Sequence, residues 1–198
     1  MKRLLLYIKI KERMLTSSKK QFAYYKQLGE KAMAQISDVD FLQSAHMYDN
    51  SIQVIVKHLH GNMLSRWTNI FTEDGEKTWR DRDGEFESDI MEKDAILKLW
   101  AEGWQKLFDT LDSLSKEDLS KIIYIRNEGM TVEDAIIRQL CHYSYHVGQI
   151  VHICKFLKGE DWQTLTIPKN QSKQYNFKKF AEVKAERHFL DSLMDQGK

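Results

Sequence analysis

The chain has 198 residues, of which 42% are hydrophobic and 30% are charged, and its 30 basic and 29 acidic side chains leave a net charge of +1. This composition excludes disordered, collagen-like and membrane-embedded chains, and it predicts one globular domain over residues 1–198. The balanced charge gives no general attraction for nucleic acid or for a membrane surface. Two cysteines are too few for a disulfide framework, so we expect a cytoplasmic protein.

Proline and glycine are both scarce. The sequence contains one proline, whereas an average usage of about 5% predicts about ten, and it contains nine glycines. Proline removes a helical hydrogen-bond donor and glycine weakens helices, so their rarity predicts long, uninterrupted helices. We therefore expect an all-α fold.

The N-terminal residues carry a short apolar run, Leu4 to Ile8, followed by charged side chains. The run is too short for a secretory signal or for a membrane span. It is interpreted as an extension of the first helix. Hydrophobic residues at helical spacing predict four main helices, at about 12–35, 51–70, 89–113 and 132–158.

Local sequence also predicts where some of these elements begin. Asp49-Asn50 is a predicted N-cap for the second helix, and Thr131 to Asp134 resembles a capping box at the start of the fourth. An extended stretch is expected through Ile122–Ile125. A weakly amphipathic block at 177–194 is interpreted as a docked or frayed helix in a C-terminal extension.

Residues 71–88 form a long, charged connection without helical periodicity. Neighbouring helices of a compact bundle are normally joined by about two to eight residues. A longer connection can cross the end of the bundle, so that the helices before and after it become parallel neighbours instead of a hairpin. We expect such a crossover between the second and third helices.

His142 and His146 are the strongest candidates for chemistry. Residues four apart lie on one face of a helix, so both imidazoles can reach one metal ion. Tyr143 stands where a zinc protease of the HExxH type carries its glutamate, which excludes that class. The second helix offers His58 and His60 as a third ligand. They differ by about 200° of helical rotation, so only one can face the site, and their spacing does not decide which.

Four further side chains are candidates for contacts with a substrate or with the metal ligands. Gln149 is expected to hydrogen-bond a metal-bound water or a substrate, or to be a neutral packing amide. Arg138 would meet an anionic substrate group or pair with Asp134, and Arg66 would line the mouth of the site. Asn62 shares a helical face with His58 and is a further candidate for substrate binding or ligand support.

Two small residues of the fourth helix have structural interpretations. Cys141 points about 100° away from His142, so it is expected to be a small buried side chain rather than a nucleophile. Gly148 is expected to allow the close approach of another helix.

Two groups of motifs resemble a known family, the DinB-like superfamily. The helical motifs are Val56-Lys57-His58-Leu59, Gly61-Asn62, Arg66-Trp67 and the run from His142 to Ile150. The remaining motifs are similar to an uncharacterised bacterial branch of that superfamily: Asp74-Gly75-Glu76-Lys77, Trp79-Arg80, Arg82-Asp83, Ile167-Pro168 and Gln171-Ser172. The resemblance covers about residues 14–176 as the domain core and leaves 177–198 as a C-terminal extension.

The resemblance implies a four-helix bundle with a crossover between helices 2 and 3. It also implies a divalent metal ion, usually zinc or nickel, held by His58, His142 and His146. Members of the superfamily include transferases and isomerases that use a low-molecular-weight thiol such as bacillithiol or mycothiol. Three neutral imidazoles leave at least one coordination position open, as in catalytic zinc sites.

We therefore expect a metal-dependent transferase that acts on a small molecule with such a thiol. The alternatives are a non-catalytic metal-binding bundle, acting in dimerisation or sensing, and a hydrolase that uses metal-bound hydroxide. We expect neither nucleic acid nor a membrane as partner, while the apolar excess of the helices is compatible with a homodimer.

Overall fold

The computed structural model describes residues 2–42, 50–87 and 91–191. Side chains are described from residue 9 onward. Within the described ranges the chain forms six α-helices: α1 (Lys2–Met33), α2 (Asp38–Phe41), α3 (Ile52–Trp67), α4 (Lys93–Ser113), α5 (Val132–Lys158) and α6 (Ser172–Phe180). The all-α prediction is confirmed, with one small addition. Strands β1 (Ile122–Ile125) and β2 (Glu128–Thr131) form an antiparallel hairpin immediately before α5.

Side-chain caps define the starts of two central helices. The hydroxyl of Ser51 accepts a hydrogen bond from the Val54 amide at 3.3 Å and begins α3. The cap of α3 is therefore one residue later than the predicted Asp49-Asn50, and Asp49 lies outside the described residues. Thr131 accepts from the Asp134 amide at 3.0 Å and begins α5, as predicted.

The crossover makes α3 and α4 parallel neighbours. His60 of α3 lies beside Glu102 of α4. About two turns further along both helices, the hydroxyl of Thr110 donates to the carbonyl of Trp67 at 2.7 Å. Both contacts advance in the same direction along the two helices, so α3 and α4 run parallel, as the length of the connection 71–88 predicts.

Helices α1 and α5 form the second parallel pair. Phe22 packs against Tyr143 with ring centroids 5.9 Å apart, and Gln35 bonds the backbone of Gln163 beyond the end of α5. Lys19 of α1 pairs with Asp112 near the end of α4, and Gly29, further along α1, lies against Trp100 near the start of α4, so α1 and α4 are antiparallel. Consequently α3 is antiparallel to α5, and the face of α3 that carries His58 meets the middle of α5.

A buried tyrosine joins α3 to α5 at the centre of the bundle. Tyr143 is 1% exposed, and its ring lies among the core aromatic side chains of Phe22 and Trp104. Its hydroxyl accepts from Trp67 Nε1 and donates to Asn62 Oδ1, both at 3.0 Å. Because Tyr143 adjoins His142 in α5, these bonds fix the register of the two helices next to the histidine pair.

The crossover is anchored to the hairpin before α5. The carboxylate of Asp74 accepts the backbone N–H groups of Arg126 and Asn127, each at 2.8 Å. The amide of Gly75 donates to the carbonyl of Tyr124 at 2.8 Å. These bonds hold the first half of the crossover in place.

The C-terminal extension differs from its predicted form. Helix α6 ends at Phe180, whereas a helix was expected over 177–194, and residues 192–194 lie outside the described part of the chain. Phe177, Phe180 and Val183 are 78%, 83% and 84% exposed, so the residues around the end of α6 have no buried apolar stripe that would lengthen the helix, although Leu190 further along is fully buried. No helix in the described part of the chain combines the length and hydrophobicity that crossing a membrane requires.

Candidate metal centre

Three imidazole rings meet where α3 crosses α5. His58 comes from α3, and His142 and His146 come from one face of α5. The Nε2 atom of His142 lies 3.3 Å from Nε2 of His58 and 3.1 Å from Nε2 of His146. One nitrogen from each ring falls within 4.8 Å of the others, so the three histidines lie close enough to hold a metal ion.

The outer nitrogens of two rings are bound to oxygen acceptors. His58 Nδ1 lies 2.9 Å from Glu85 Oε2, and His146 Nδ1 lies 2.7 Å from Gln149 Oε1. An ionised carboxylate and an amide oxygen can only accept, so both Nδ1 atoms carry the proton. In the neutral rings the Nε2 lone pairs of His58 and His146 therefore point into the cluster.

This arrangement fits a bound cation. His142 has one Nε2 and can donate one proton, so at most one of its two close nitrogen contacts is a hydrogen bond. The other nitrogen lone pair is then left without a proton, and if His142 Nε2 carries no proton, both contacts bring two lone pairs together; a cation at the centre satisfies all three nitrogens. Zinc–imidazole bonds of about 2.0–2.1 Å in tetrahedral geometry place ligand nitrogens about 3.3 Å apart. The observed separations of 3.1 and 3.3 Å match that geometry.

The environment favours the neutral form of His142 and of His146. Burial, together with the neighbouring His146 and His58, lowers the pKa of His142 to about 3. Burial also lowers the pKa of His146, although its hydrogen bond to Gln149 acts in the opposite direction. Metal ions bind the neutral form of imidazole, so both rings are in the ligating form at neutral pH.

A buried ion pair from the crossover supports His58. Arg80 donates from Nε to Glu85 Oε1 at 2.7 Å and from Nη2 to Oε2 at 2.9 Å. Burial acts to raise the pKa of Glu85, but hydrogen bonds from His58 and Arg80 outweigh it, and the pKa lies below its ordinary value. Gly61 leaves room for the carboxylate, since a Cβ there would lie 2.8 Å from Glu85 Cδ.

The sequence alone did not indicate that Glu85 and Arg80 support His58. Both residues lie in the charged connection 71–88, where charged side chains are normally solvated. The side chains of Arg80 and Glu85 are nevertheless only 2% and 8% exposed. The motif resemblance includes Arg80, and Gly61 three residues after His58 is the available indication that something packs closely there.

The structure distinguishes the two histidines of α3. His58 is 6% exposed and faces the α5 pair. His60 points to the other side of α3 and bonds Glu102 of α4 at 3.2 Å. Spacing alone does not choose between His58 and His60, and the rotation of α3 in the bundle decides that His58 faces the site.

The remaining candidates are dispersed. Gln149 is part of the cluster through His146, whereas Asn62 Oδ1 is bonded to the Tyr143 hydroxyl. The buried guanidinium of Arg66 donates to Glu76 Oε2 at 2.9 Å and to the carbonyl of Gly75, within the crossover. Arg138 is exposed, and its Nη1 lies near the sulfur of Met130. The carboxylate of Asp134, its expected alternative partner, accepts a hydrogen bond from the Thr131 hydroxyl.

Two expectations for small residues of α5 are wrong. Cys141 is exposed instead of buried, because it lies on the outward face of the helix. A Cβ on Gly148 would meet no heavy atom within 4 Å, so no helix approaches closely there.

The three histidines are the complete set of close ligands in the described part of the chain. Within residues 2–42, 50–87 and 91–191, no fourth histidine, cysteine or carboxylate joins the three ligands. Two aromatic rings flank them: Phe86 lies 5.1 Å from the His58 ring and Tyr145 lies 5.0 Å from the His146 ring. Phe86 is 37% exposed and Tyr145 is 63% exposed, so both rings lie at the surface beside the ligands.

Comparison with known proteins identifies the family. A family model described as "Protein of unknown function (DUF1572)" matches residues 9–171, a span that contains all three histidines and the whole crossover. No curated protein and no solved structure shows significant similarity to the chain. Because the matched span covers most of its length, the chain belongs to the DUF1572 family.

Proposed function

We propose that this protein is a DinB-like metal-dependent transferase that acts on a small molecule with a low-molecular-weight thiol. The observation that carries the proposal is the convergence of three Nε2 atoms, from His58, His142 and His146, with outer N–H groups of two rings fixed by acceptors. The motif resemblance to the DinB-like superfamily, whose members include thiol-using transferases, supports the choice of reaction.

Zinc or nickel is the proposed ion. Three neutral imidazoles suit either metal, and they leave its double positive charge uncompensated. When bound, such an ion lowers the pKa of a thiol beside it and so supplies a nucleophile at neutral pH.

The surrounding residues would orient the reactants. Gln149 holds the His146 ring through Nδ1 and donates from its own Nε2 to the Tyr145 hydroxyl at 3.2 Å. That hydroxyl keeps its proton for donation to a polar group of the substrate. The rings of Phe86 and Tyr145 provide apolar surfaces that would exclude water from the two sides of a bound molecule.

The arrangement of carboxylates favours a transferase over a hydrolase. Hydrolysis by a metal-bound hydroxide is helped by a carboxylate base beside the attacking water. The carboxylate of Glu85 contacts the ligand His58, and both its oxygens are bound to Arg80 or His58. It is committed to supporting a ligand and is not available as a base.

Metal-dependent thiol binding tests the proposal. Purified protein is stripped of metal, reloaded with zinc or nickel, and assayed by elemental analysis and thermal unfolding with and without bacillithiol or mycothiol. We expect one ion per chain and thiol stabilisation only when metal is present.

A matched pair of variants supplies the control. His146→Ala should lose both the ion and the thiol effect, whereas His152→Ala, an exposed histidine of the same helix, should keep both. If metal-loaded protein binds its ion but neither thiol stabilises it, the transferase proposal fails, and a non-catalytic metal-binding bundle becomes the better explanation.

A further inference from the structure

We propose that Glu85 is a positioning residue that fixes His58 for metal binding, and that Arg80 and Gly61 hold Glu85 in place for this purpose. The inference rests on the metal-binding part of the proposed function, and it is independent of the thiol chemistry. It gives the crossover between α3 and α4 a role in assembling the site.

Glu85 reaches His58 from a separate element. It lies in a short 3-10 turn, Gly84–Phe86, within the crossover, 27 residues from His58 along the chain. Glu85 Oε2 lies 2.9 Å from His58 Nδ1, and the two residues are 7% and 6% exposed. Water therefore has little access to this bond, and the carboxylate is the acceptor that sets the state of the ring.

His58 needs such a partner more than the other two ligands do. His142 and His146 share one helical face, so their spacing alone brings them together. His58 is alone on α3, and a buried imidazole can place its proton on either nitrogen. Donation from Nδ1–H to a carboxylate fixes the ring orientation and leaves the Nε2 lone pair for the metal. The third corner of the site therefore depends on Glu85.

Arg80 and Gly61 keep Glu85 in this role. Arg80 bonds both carboxylate oxygens, which prevents the carboxylate from turning towards the metal and becoming a ligand itself. Gly61 has no side chain where the carboxylate passes α3. A buried ion pair seldom adds net stability, because both partners lose their hydration, so a structural role alone explains this arrangement poorly.

The chain contains a matched histidine–carboxylate pair outside the site. His60 Nε2 of α3 lies 3.2 Å from Glu102 Oε2 of α4, and the Glu102 side chain is 57% exposed. Removing that carboxylate changes the charge of the protein as removal of Glu85 does. It provides the control for any general effect of losing an acid near a histidine.

The test measures the affinity for Zn²⁺, by competition with a chelator, in full-length Glu85→Ala, Glu85→Gln and Glu102→Ala. We expect a 10- to 100-fold loss for Glu85→Ala, in line with losses of about that size for other carboxylate partners of ligating histidines. Glu85→Gln keeps an oxygen acceptor and should lose less, and Glu102→Ala should bind as the wild type does. Wild-type affinity in both Glu85 variants would overturn the proposal.

A double-mutant cycle separates positioning from a general structural effect. If Glu85 acts through His58, the Glu85 substitution should cause no further loss of affinity in a His58→Ala background. An equal loss in both backgrounds would overturn the proposal. Should Glu85→Ala fail to fold, as circular dichroism of the metal-free protein would show, the same cycle is run with Glu85→Gln.

The wild-type protein distinguishes the two levels of failure. Wild type that binds Zn²⁺, with Glu85 variants that bind equally well, refutes the positioning role and leaves the proposed function standing. Wild type that binds no Zn²⁺ refutes both. The absorption spectrum of the Co²⁺-loaded variants gives a second readout, because its intensity changes when an imidazole leaves the metal.

Discussion

Replacing Gly61 by alanine perturbs the metal centre without touching any ligand. The added Cβ would lie 2.8 Å from Glu85 Cδ, and nearer still to Oε1, whereas ordinary contact begins at 3.4 Å. To go from 2.8 to 3.4 Å, Cδ must move by about 0.6 Å, and Oε1 must move by more, while Arg80 and His58 hold the carboxylate. If Oε2 moves away from α3 by that smaller amount, its 2.9 Å distance to His58 Nδ1 becomes about 3.5 Å, beyond the normal range of a hydrogen bond.

Two effects on stability oppose each other in this variant. Alanine in a helix interior is better than glycine by about 1 kcal/mol. Overpacking a filled site costs about 1–3 kcal/mol. We expect a net loss of about 0–2 kcal/mol, which for a protein of this size lowers the Tm by up to about 8 °C. Because the bond to His58 is lost, the affinity for Zn²⁺ should fall about tenfold or more.

Gly148→Ala is the matched control for Gly61→Ala. It also lies in a helix, two residues from His146, but its added Cβ meets no heavy atom within 4 Å. We expect a gain of about 1 kcal/mol, a Tm higher by about 2–4 °C, and unchanged affinity. Thermal unfolding followed by circular dichroism and a chelator competition measure both quantities. If Gly61→Ala also raises the Tm and keeps wild-type affinity, the packing of Glu85 against α3 is refuted.

Three further predictions concern the surroundings of the site. Tyr143→Phe leaves its two buried partners, Trp67 Nε1 and Asn62 Oδ1, without this hydrogen bond and should cost about 2–4 kcal/mol of unfolding free energy. The control is Tyr124→Phe at an exposed position, which should change that free energy by less than about 0.5 kcal/mol. Equal losses for the two variants in urea unfolding would contradict this prediction. Burial lowers the pKa of His142 from 6.5 to about 3, so between those pH values the unfolded chain binds a proton that the folded chain does not. As the pH falls through that range, the free energy of unfolding of the metal-free protein should decrease by at most about 1.4 kcal/mol per pH unit. A urea midpoint that stays constant from pH 6.5 to pH 4 would exclude this shift. Burial raises the pKa of the Cys154 thiol to about 12, so iodoacetamide at pH 8 should label Cys141 alone, and two adducts on the folded protein in mass spectrometry would contradict the burial of Cys154.

Periodicity and composition predicted the framework of the fold. The scarcity of proline and the spacing of apolar residues correctly placed the four long helices, since the burial of one helical face imposes that spacing. The length of the connection 71–88 predicted the crossover, because a hairpin between α3 and α4 needs far fewer residues. The segment at 177–194 was harder to predict, since most of its apolar residues are exposed and Leu190 is the one that the structure shows buried among the residues described there.

The candidate site was predictable where it depends on one helix. The spacing of His142 and His146 suffices to place both rings on one face of α5. The choice of His58 over His60 depends on how α3 is rotated in the bundle, which spacing within α3 does not contain, and only the family resemblance indicated it. Glu85 was missed because its burial comes from tertiary packing, against Gly61 and under Arg80, in a segment whose composition is typical of a solvated loop.

X-ray absorption spectroscopy of the zinc-loaded protein tests the central claim most directly, because it counts the imidazole ligands on the ion. Three imidazole nitrogens at about 2.0–2.1 Å in the wild type, and no bound zinc in His146→Ala, are the expected result. A spectrum with cysteine sulfur as a ligand, or with fewer than three imidazoles in the wild type, would show that His58, His142 and His146 do not hold the metal together.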